Sequence, residues 1–293
     1  MELVHTISEL KDAVSNARKA NLTIGLVPTM GALHAGHASL IHRSIGENDV
    51  TVVSVFVNPT QFNDKTDLAN YPRTLEADCQ LIEETKSEVE ASIAVTRTVV
   101  VFAPSVQEIY PEPDTRQFSY PPTDSVMEGA RRPGHFNGVC QIVSRLFEMS
   151  DPDRAYFGEK DFQQIAVIRA MMHDQGFNFQ LVPCPIVREE SGLAMSSRNT
   201  LLTEKERETA TAISQILFQS QELSKSLSVT EVQKHVVDAL NDVEGLEVEY
   251  FEIVDATSLL PVNNWSDAEH IQGCITVYCG QRPVRLIDNI NYR

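Results

Sequence analysis

Hydrophobic and polar residues follow two rhythms along this chain, and the rhythm changes about two-thirds of the way through. In the earlier part, short β-rich apolar runs are separated by stretches with apolar residues at helical spacing. Residues 22–27, LTIGLV, and 50–57, VTVVSVFV, read as strands. The second is β-branched or aromatic at nearly every position, as expected of a strand covered on both faces. Residues 99–103 form another such run, closed by Pro104, and 155–157 and 179–182 are shorter ones, the last ending at Pro183. Residues 36–45, 73–84, 138–149 and 162–173 are helical in pattern, and residues 1–20 read as an amphipathic helix. Strands alternating with helices predict a Rossmann-like α/β fold, a parallel sheet with helices on both faces.

After about Asn199 the pattern becomes longer and more polar. Residues 202–227 read as an amphipathic helix with Thr203 as N-cap and Glu206 in the capping-box position. A second helix, about 229–240, starts at a Thr-Glu pair, and strand-like runs follow at 246–254 and 274–279. This predicts a smaller α+β domain. The boundary falls between Val187 and Thr203, dividing the chain into residues 1–187 and 188–293.

With 293 residues, 42% of them hydrophobic, the composition is that of an ordinary globular protein. Charge alters the picture more. There are 24 basic and 41 acidic side chains, a net −17. A field of that sign repels nucleic acid and anionic membranes, so neither is expected as a partner. If the substrates are anionic, basic residues must be concentrated where they bind. The five cysteines form no CxxC pair and lack zinc-site spacing, so reduced, mostly buried thiols are expected. The N-terminus does not read as a signal peptide and no apolar run is long enough to span a bilayer, which predicts a cytoplasmic location.

Four segments carry chemistry. In PTMGALHAGH, residues 28–37, a strand runs into two glycines and two histidines just before a helix. Glycine lets backbone approach a phosphate, and a helix start favours an anion. His34 and His37 project to one side if the turn is helical, where they would stabilise negative charge developing on a phosphate. The spacing also resembles a Walker A loop, but His37 stands where that loop needs lysine. An HxxH metal site lacks a clear third ligand, and GxGxxG is absent. In FVNPTQF, Asn58 and Gln61 sit at a strand end and suit a hydroxyl or carboxylate, or form a capped Pro turn. In GEKDFQQ, Lys160 is a cation for phosphates, Asp161 a helix cap or Mg²⁺ contact, and Gln164 lies one turn on. In MSSRN, two hydroxyls and Arg198 can clamp a phosphate tail. Arg73, Arg131, Arg132 and His135 add to the local positive field.

These segments, with YPRTLEAD, EGARRPGHFNGV, GLAMSSRN and the closing RLIDNI, occur in the order seen in the pantothenate synthetase (pantoate–β-alanine ligase) family of HIGH-motif nucleotidyltransferases. The resemblance covers nearly the whole chain. It implies a Rossmann-like N-terminal domain and a smaller C-terminal lid, a homodimer, and a two-step reaction. Pantoate attacks the α-phosphorus of Mg²⁺-bound ATP to give pantoyl adenylate and pyrophosphate, and β-alanine then displaces AMP. By motif, Met30, Gly31, Ala32, Leu33, His34, Ala35, Gly36 and His37 resemble the ATP loop, with His37 catalytic and His34 its partner. Gly158, Glu159, Lys160 and Asp161 resemble further ATP contacts, Lys160 being catalytic on the phosphates. Val187, Met195, Ser196, Ser197 and Arg198 resemble an adenine and phosphate clamp. Gln61 and Gln164 look like pantoate contacts, with Asn58 beside them and Asp161 as the metal contact.

The stretch around 84–98 is longer than is usual in the family and reads as a polar surface excursion, and Thr60 stands where Met is common. Two other functions compete. A nucleotidyltransferase with another acceptor would share the histidine loop without needing both glutamines. A degenerate binding protein would keep the fold without catalysis.

Overall fold

Among the described residues, six strands form one parallel sheet. They are β1 (Glu2–Val4), β2 (Ile24–Thr29), β3 (Val50–Val55), β4 (Thr98–Phe102), β5 (Arg154–Gly158) and β6 (Gln180–Cys184), in the order β1-β4-β3-β2-β5-β6. This computed structural model describes residues 1–63 and 65–293, and of Lys65 and Asp67 the backbone only. The intervening helices are α1 (Ile7–Lys19), α2 (Ala35–Glu47), α3 (Lys65–Asn70), α4 (Leu75–Ile93), α5 (Val106–Ile109), α6 (Met127–Arg131), α7 (His135–Ser150) and α8 (Phe162–Gln175). Later come α9 (Glu204–Leu223) and α10 (Val229–Asn241), and an antiparallel sheet of β7 (Leu246–Asp255), β8 (Ile271–Cys279) and β9 (Val284–Asn291). The parallel sheet with helices and the smaller α+β part agree with the sequence pattern.

The chain divides into two compact units. The first comprises Met1–Tyr120, Arg132–Glu159 and Val167–Pro185, and the second Pro121–Arg131, Lys160–Ala166 and Ile186–Arg293. In the first, Val27, Ile41, Val53, Ile82, Val101 and Tyr156 belong to one buried cluster. The chain steps from β2 through β3 to β4 on one side, then resumes with β5 and β6 on the other. The carboxyl ends of β2 and β5 are therefore neighbours at a topological switch point, where open α/β sheets bind ligands. In the second unit, Leu217, Val232, Val236, Ile275 and Val277 anchor an independent core.

Several boundaries differ from the pattern. Residues 1–20 are not one helix: β1 comes first, and α1 starts at a capping box of Thr6 and Glu9. Three residues are too few to display a period. The predicted α9 box of Thr203 and Glu206 is present, but α10 is capped by Ser228 with Glu231, one turn before the Thr-Glu pair is complete. The stretch 84–98 lies mostly at the surface, as its polarity suggests, but much of it is regular helix rather than an excursion from the fold. Through Ile93 it continues α4, with Thr85 and Val89 buried in line with Ile82 of the preceding turn, and the chain turns at Ala94 toward β4. A buried stripe only one residue wide was hidden there among glutamates and lysine.

Candidate active site

The β2–α2 loop is built by two acceptors. Thr29 Oγ1 accepts from Gly31 N–H at 3.1 Å, starting the turn. Asp78, in the first turn of α4 and 2% exposed, accepts from Ala32 N–H at 3.1 Å and from Leu33 N–H at 2.8 Å. Gly31 and Ala32 both have positive φ, +79° and +50°, a conformation that costs alanine energy and needs such holding. A Cβ on Gly31 would also lie 3.1 Å from the Asp78 carboxylate, a tight contact that would push this acceptor by a few tenths of an ångström on top of the strain of the positive φ.

His34 is not inside the helix but is its N-cap, in an extended conformation. Its Nδ1 accepts from Gly36 N–H at 3.1 Å, and His37 Nδ1 accepts from His34 N–H at 3.3 Å. The two rings therefore lie side by side, with centroids 4.1 Å apart. With both Nδ1 lone pairs engaged, a neutral ring carries its proton on Nε2. The arrangement offers two N–H donors beside a helix start, a geometry suited to phosphate oxygens.

Asn58 caps the 3-10 turn Pro59–Gln61 after β3, and Gln61 is its last residue. Asn58 is 1% exposed and its amide is fully engaged. Nδ2 donates to Gln61 Oε1 (3.1 Å) and to Gly138 O (3.0 Å), while Oδ1 accepts from Tyr110 OH (2.9 Å) and Thr60 Oγ1 (3.1 Å). Asn58 thus holds Gln61, whose Nε2 lies 2.8 Å from Met30 Sδ in the histidine loop. His135 Nδ1–H donates to Gln61 O at 2.8 Å, and Arg132 Nη1 lies 3.2 Å from its Nε2. Helix α7 lies directly on this turn: a Cβ on Gly138 would fall 2.3 Å from Thr60 O.

The remaining candidates belong to the second unit, apart from Gly158, which ends β5, Glu159, which follows it, and Arg73, which donates to Tyr71 O and Leu68 O, all in the first. Lys160 Nζ is 3.1 Å from Asp161 Oδ2, and Asn289 Nδ2 donates to Lys160 O at 3.0 Å. Gln163 is buried, bonding Glu128 N–H, Thr123 O and Val126 O. Gln164 is half-buried, and its side chain makes no hydrogen bond among the described residues. Val187 O accepts from Met195 N–H at 3.0 Å, joining the two parts of the MSSRN hairpin, and Ser196 caps the 3-10 turn Ser197–Leu201 by accepting from Arg198 N–H. Asn199 fastens this turn to Glu189 and Ala194 O. Not every predicted cation is available to an anion: Arg131 lies over the Tyr250 ring, 4.3 Å from its centroid, and pairs with Glu252 at 3.4 Å. Among the described residues no cluster of three or more His, Cys, Asp or Glu side chains could hold a metal ion.

The family model of pantoate-beta-alanine ligase matches residues 2–291. The chain belongs to the pantoate-beta-alanine ligase family. It is 61% identical to a pantothenate synthetase of Phocaeicola vulgatus over 294 residues, with 100% of each chain covered. Among solved structures it resembles pantothenate synthetase from Thermus thermophilus, with a TM-score of 0.89 and 40% identity, covering 100% of this chain and 99% of that one. It also resembles the pantoate-beta-alanine ligase of Francisella tularensis complexed with beta-gamma ATP and beta-alanine. That match has a TM-score of 0.77 and 34% identity, and covers 100% and 98% of the two chains.

For a member of this ligase family, sequence reasoning overlooked Asp78, Tyr110 and Gly138. Asp78 stood inside YPRTLEAD without a role, because its partners lie 45 and 46 positions earlier. Gly138 had a signal: a glycine in the first turn of a predicted amphipathic helix is unfavourable unless something packs closely there.

Proposed function

We propose that this chain condenses pantoate with β-alanine at the expense of ATP, through a pantoyl adenylate. A pantoate carboxylate oxygen bonds to the α-phosphorus as the bond to pyrophosphate breaks. The β-alanine nitrogen then bonds to the acyl carbon, the bond to AMP breaks, and the amine gives up a proton. The observation that carries this reading is the family match over residues 2–291.

In this reading His34 and His37 direct Nε2–H donors at the nucleotide phosphates, and their contribution is electrostatic. Lys160 supplies a cation to the same phosphates, with Met30, Gly31, Ala32, Leu33, Ala35 and Gly36, then Gly158, Glu159 and Asp161, around the nucleotide. Val187, Met195, Ser196, Ser197 and Arg198 hold adenine and phosphate. Gln61 and Gln164 contact pantoate, and Asn58 acts by holding Gln61. Magnesium bound with ATP would supply neutralisation of phosphate charge, and Asp161 is the residue that would hold it. Mg²⁺ is usually bound by phosphates, water and one or two carboxylates, and in this reading Asp161 would be the protein's carboxylate. Residues 1–187 and 188–293 as functional domains, a homodimer and a cytoplasmic location belong to the same reading. Among the described residues no helix is long and apolar enough to cross a membrane.

Pyrophosphate exchange into ATP, measured without β-alanine, tests the reading. Exchange should require pantoate. Exchange that ignores pantoate, or that needs a different acceptor, would overturn it.

A further inference from the structure

The turn that carries Gln61 is wired through an amide whose orientation cannot reverse. Asn58 Oδ1 faces Thr60 N–H at 3.4 Å, a group that only donates. Asn58 Nδ2 faces Gly138 O at 3.0 Å, a group that only accepts. At 1% exposure, no water relieves a flipped amide. The Tyr110 hydroxyl, 2.9 Å from the same Oδ1, must therefore be the donor. Burial pushes the pKa of Tyr110 up, which keeps that proton in place. The ring is itself held: Tyr110 is 9% exposed, and the Arg145 guanidinium lies over it, 5.3 Å from the centroid, tied to Asp114 at 2.9 Å.

This polarity is passed on. The second Asn58 N–H points at Gln61 Oε1, 3.1 Å away, so the Oε1 end of Gln61 is occupied as an acceptor. The NH₂ end is then the one presented toward the histidine loop, where its neighbour is Met30 Sδ at 2.8 Å. A thioether is a weak acceptor, so a carboxylate or hydroxyl oxygen displaces it at little cost.

We propose that Tyr110 is a positioning residue for substrate recognition: acting through Asn58, it fixes Gln61 with its NH₂ end toward the loop, so that Gln61 recognises its substrate as a hydrogen-bond acceptor. The assignment rests on reading Gln61 as a pantoate contact. It makes the pocket selective for acids or alcohols that present an oxygen lone pair at this point, and against analogues that present a donor there.

The test is a double-mutant cycle on pantoate-dependent pyrophosphate exchange, using Tyr110→Phe in the native and Gln61→Ala backgrounds. Tyr110→Phe keeps the ring and its packing. It should raise the pantoate concentration for half-maximal exchange about tenfold, the effect of one buried hydrogen bond, and leave that for ATP unchanged. In the Gln61→Ala background it should change nothing further. An unmoved pantoate requirement in the native background, or an equal rise in both, overturns the proposal, since general loosening of the turn would add in both backgrounds. Gln61→Glu tests the polarity without touching Tyr110: replacing the donor end with a carboxylate oxygen should weaken pantoate at least as much as Gln61→Ala. Binding equal to the native protein would also overturn the proposal. If the native protein shows exchange that ignores pantoate, the function itself falls and this assignment with it. Native pantoate dependence with an unresponsive Tyr110→Phe removes only the positioning role.

Discussion

Arg285 and Glu128 stand 157 positions apart and meet in a two-pronged ion pair, with Nη1 to Oε2 at 2.7 Å and Nη2 to Oε1 at 2.6 Å. Tyr250 OH and Thr276 Oγ1 also donate to Glu128 Oε1, and Arg285 Nη2 reaches Glu249 Oε2 at 2.6 Å. The pair is part of a larger arrangement on β9. Asp288 grips Arg188 with both carboxylate oxygens, and Asn289 holds the carbonyl of Lys160. One strand of the second unit thus fixes the backbone or side chains of three segments that carry motifs: EGARR, the stretch after Val187, and GEKD.

Removing the Arg285 side chain leaves Glu128 and Glu249 facing each other with little solvent, at 12% and 21% side-chain exposure. Arg285→Ala should therefore lower the unfolding free energy by about 3–5 kcal/mol, the cost of breaking a buried pair from one side. Arg285→Lys should recover only part, because an ammonium cannot make two parallel bonds to one carboxylate. Urea denaturation measures both. A loss below about 0.5 kcal/mol, typical of a surface site, would contradict this account.

Asp78→Asn preserves shape but turns one acceptor into a donor facing the N–H of Ala32 or Leu33. A buried N–H without a partner costs about 1–3 kcal/mol, here concentrated in the loop. The KM for ATP should rise roughly tenfold in pyrophosphate exchange, since about 1.4 kcal/mol is one factor of ten. The pantoate requirement should move less. Equal effects on both substrates would mean that Asp78 supports the sheet rather than the loop.

Acid should destabilise the first unit through Asp114. Hydrogen bonds from Arg116, with those from Arg145, hold its carboxyl well below the ordinary carboxylate range. The unfolded chain takes up this proton at higher pH than the folded one, so stability rises with pH across the interval between the two values. The contribution is complete above the unfolded value, near 4, and is lost as pH falls toward the depressed one. Asp114→Asn should be destabilised at pH 7 and should approach the native protein by about pH 2, as followed by urea denaturation. A mutational difference constant from pH 7 to pH 2 would show that ionisation of Asp114 is not involved.

His37→Ala and Lys160→Ala should slow adenylate formation far more than transfer to β-alanine, whereas Gln164→Ala should chiefly weaken pantoate. Pre-steady-state measurement of adenylate and amide separates the two steps. Intact adenylate formation with blocked transfer would reassign both cations, and unchanged pantoate affinity would remove Gln164 from the pocket.

Much of this architecture was legible because the relevant signals are local. The β-branched run of β3, the Thr203 and Glu206 capping box and the glycine–histidine spacing each lie within a few residues of one another. What was not legible depends on partners remote in sequence. Asn58 looked like a ligand group until Tyr110, 52 positions on, and Gly138, 80 positions on, were seen to occupy its amide. RLIDNI was visible as a motif but not as a strand, since inward and outward positions along β9 mix Arg285, Asp288 and Asn289 with apolar residues. Nor does contiguity reveal that Pro121–Arg131 and Lys160–Ala166 pack with the later residues.

The strand order has a consequence for how the chain is made. β2 carries the histidine loop, and along its Val50–Val55 side it pairs over all six residues, Ile24 to Thr29. Along the other side it pairs with β5 only at Gly25 and Leu26, and β5 begins at Arg154. During synthesis the strand that leads into His34 and His37 therefore waits, apolar and with one edge bare, while more than a hundred further residues emerge. A bare apolar edge is a template for pairing with another chain. A chain stopped before Arg154 holds both histidines and Asp78, yet it is a sticky intermediate rather than half an enzyme.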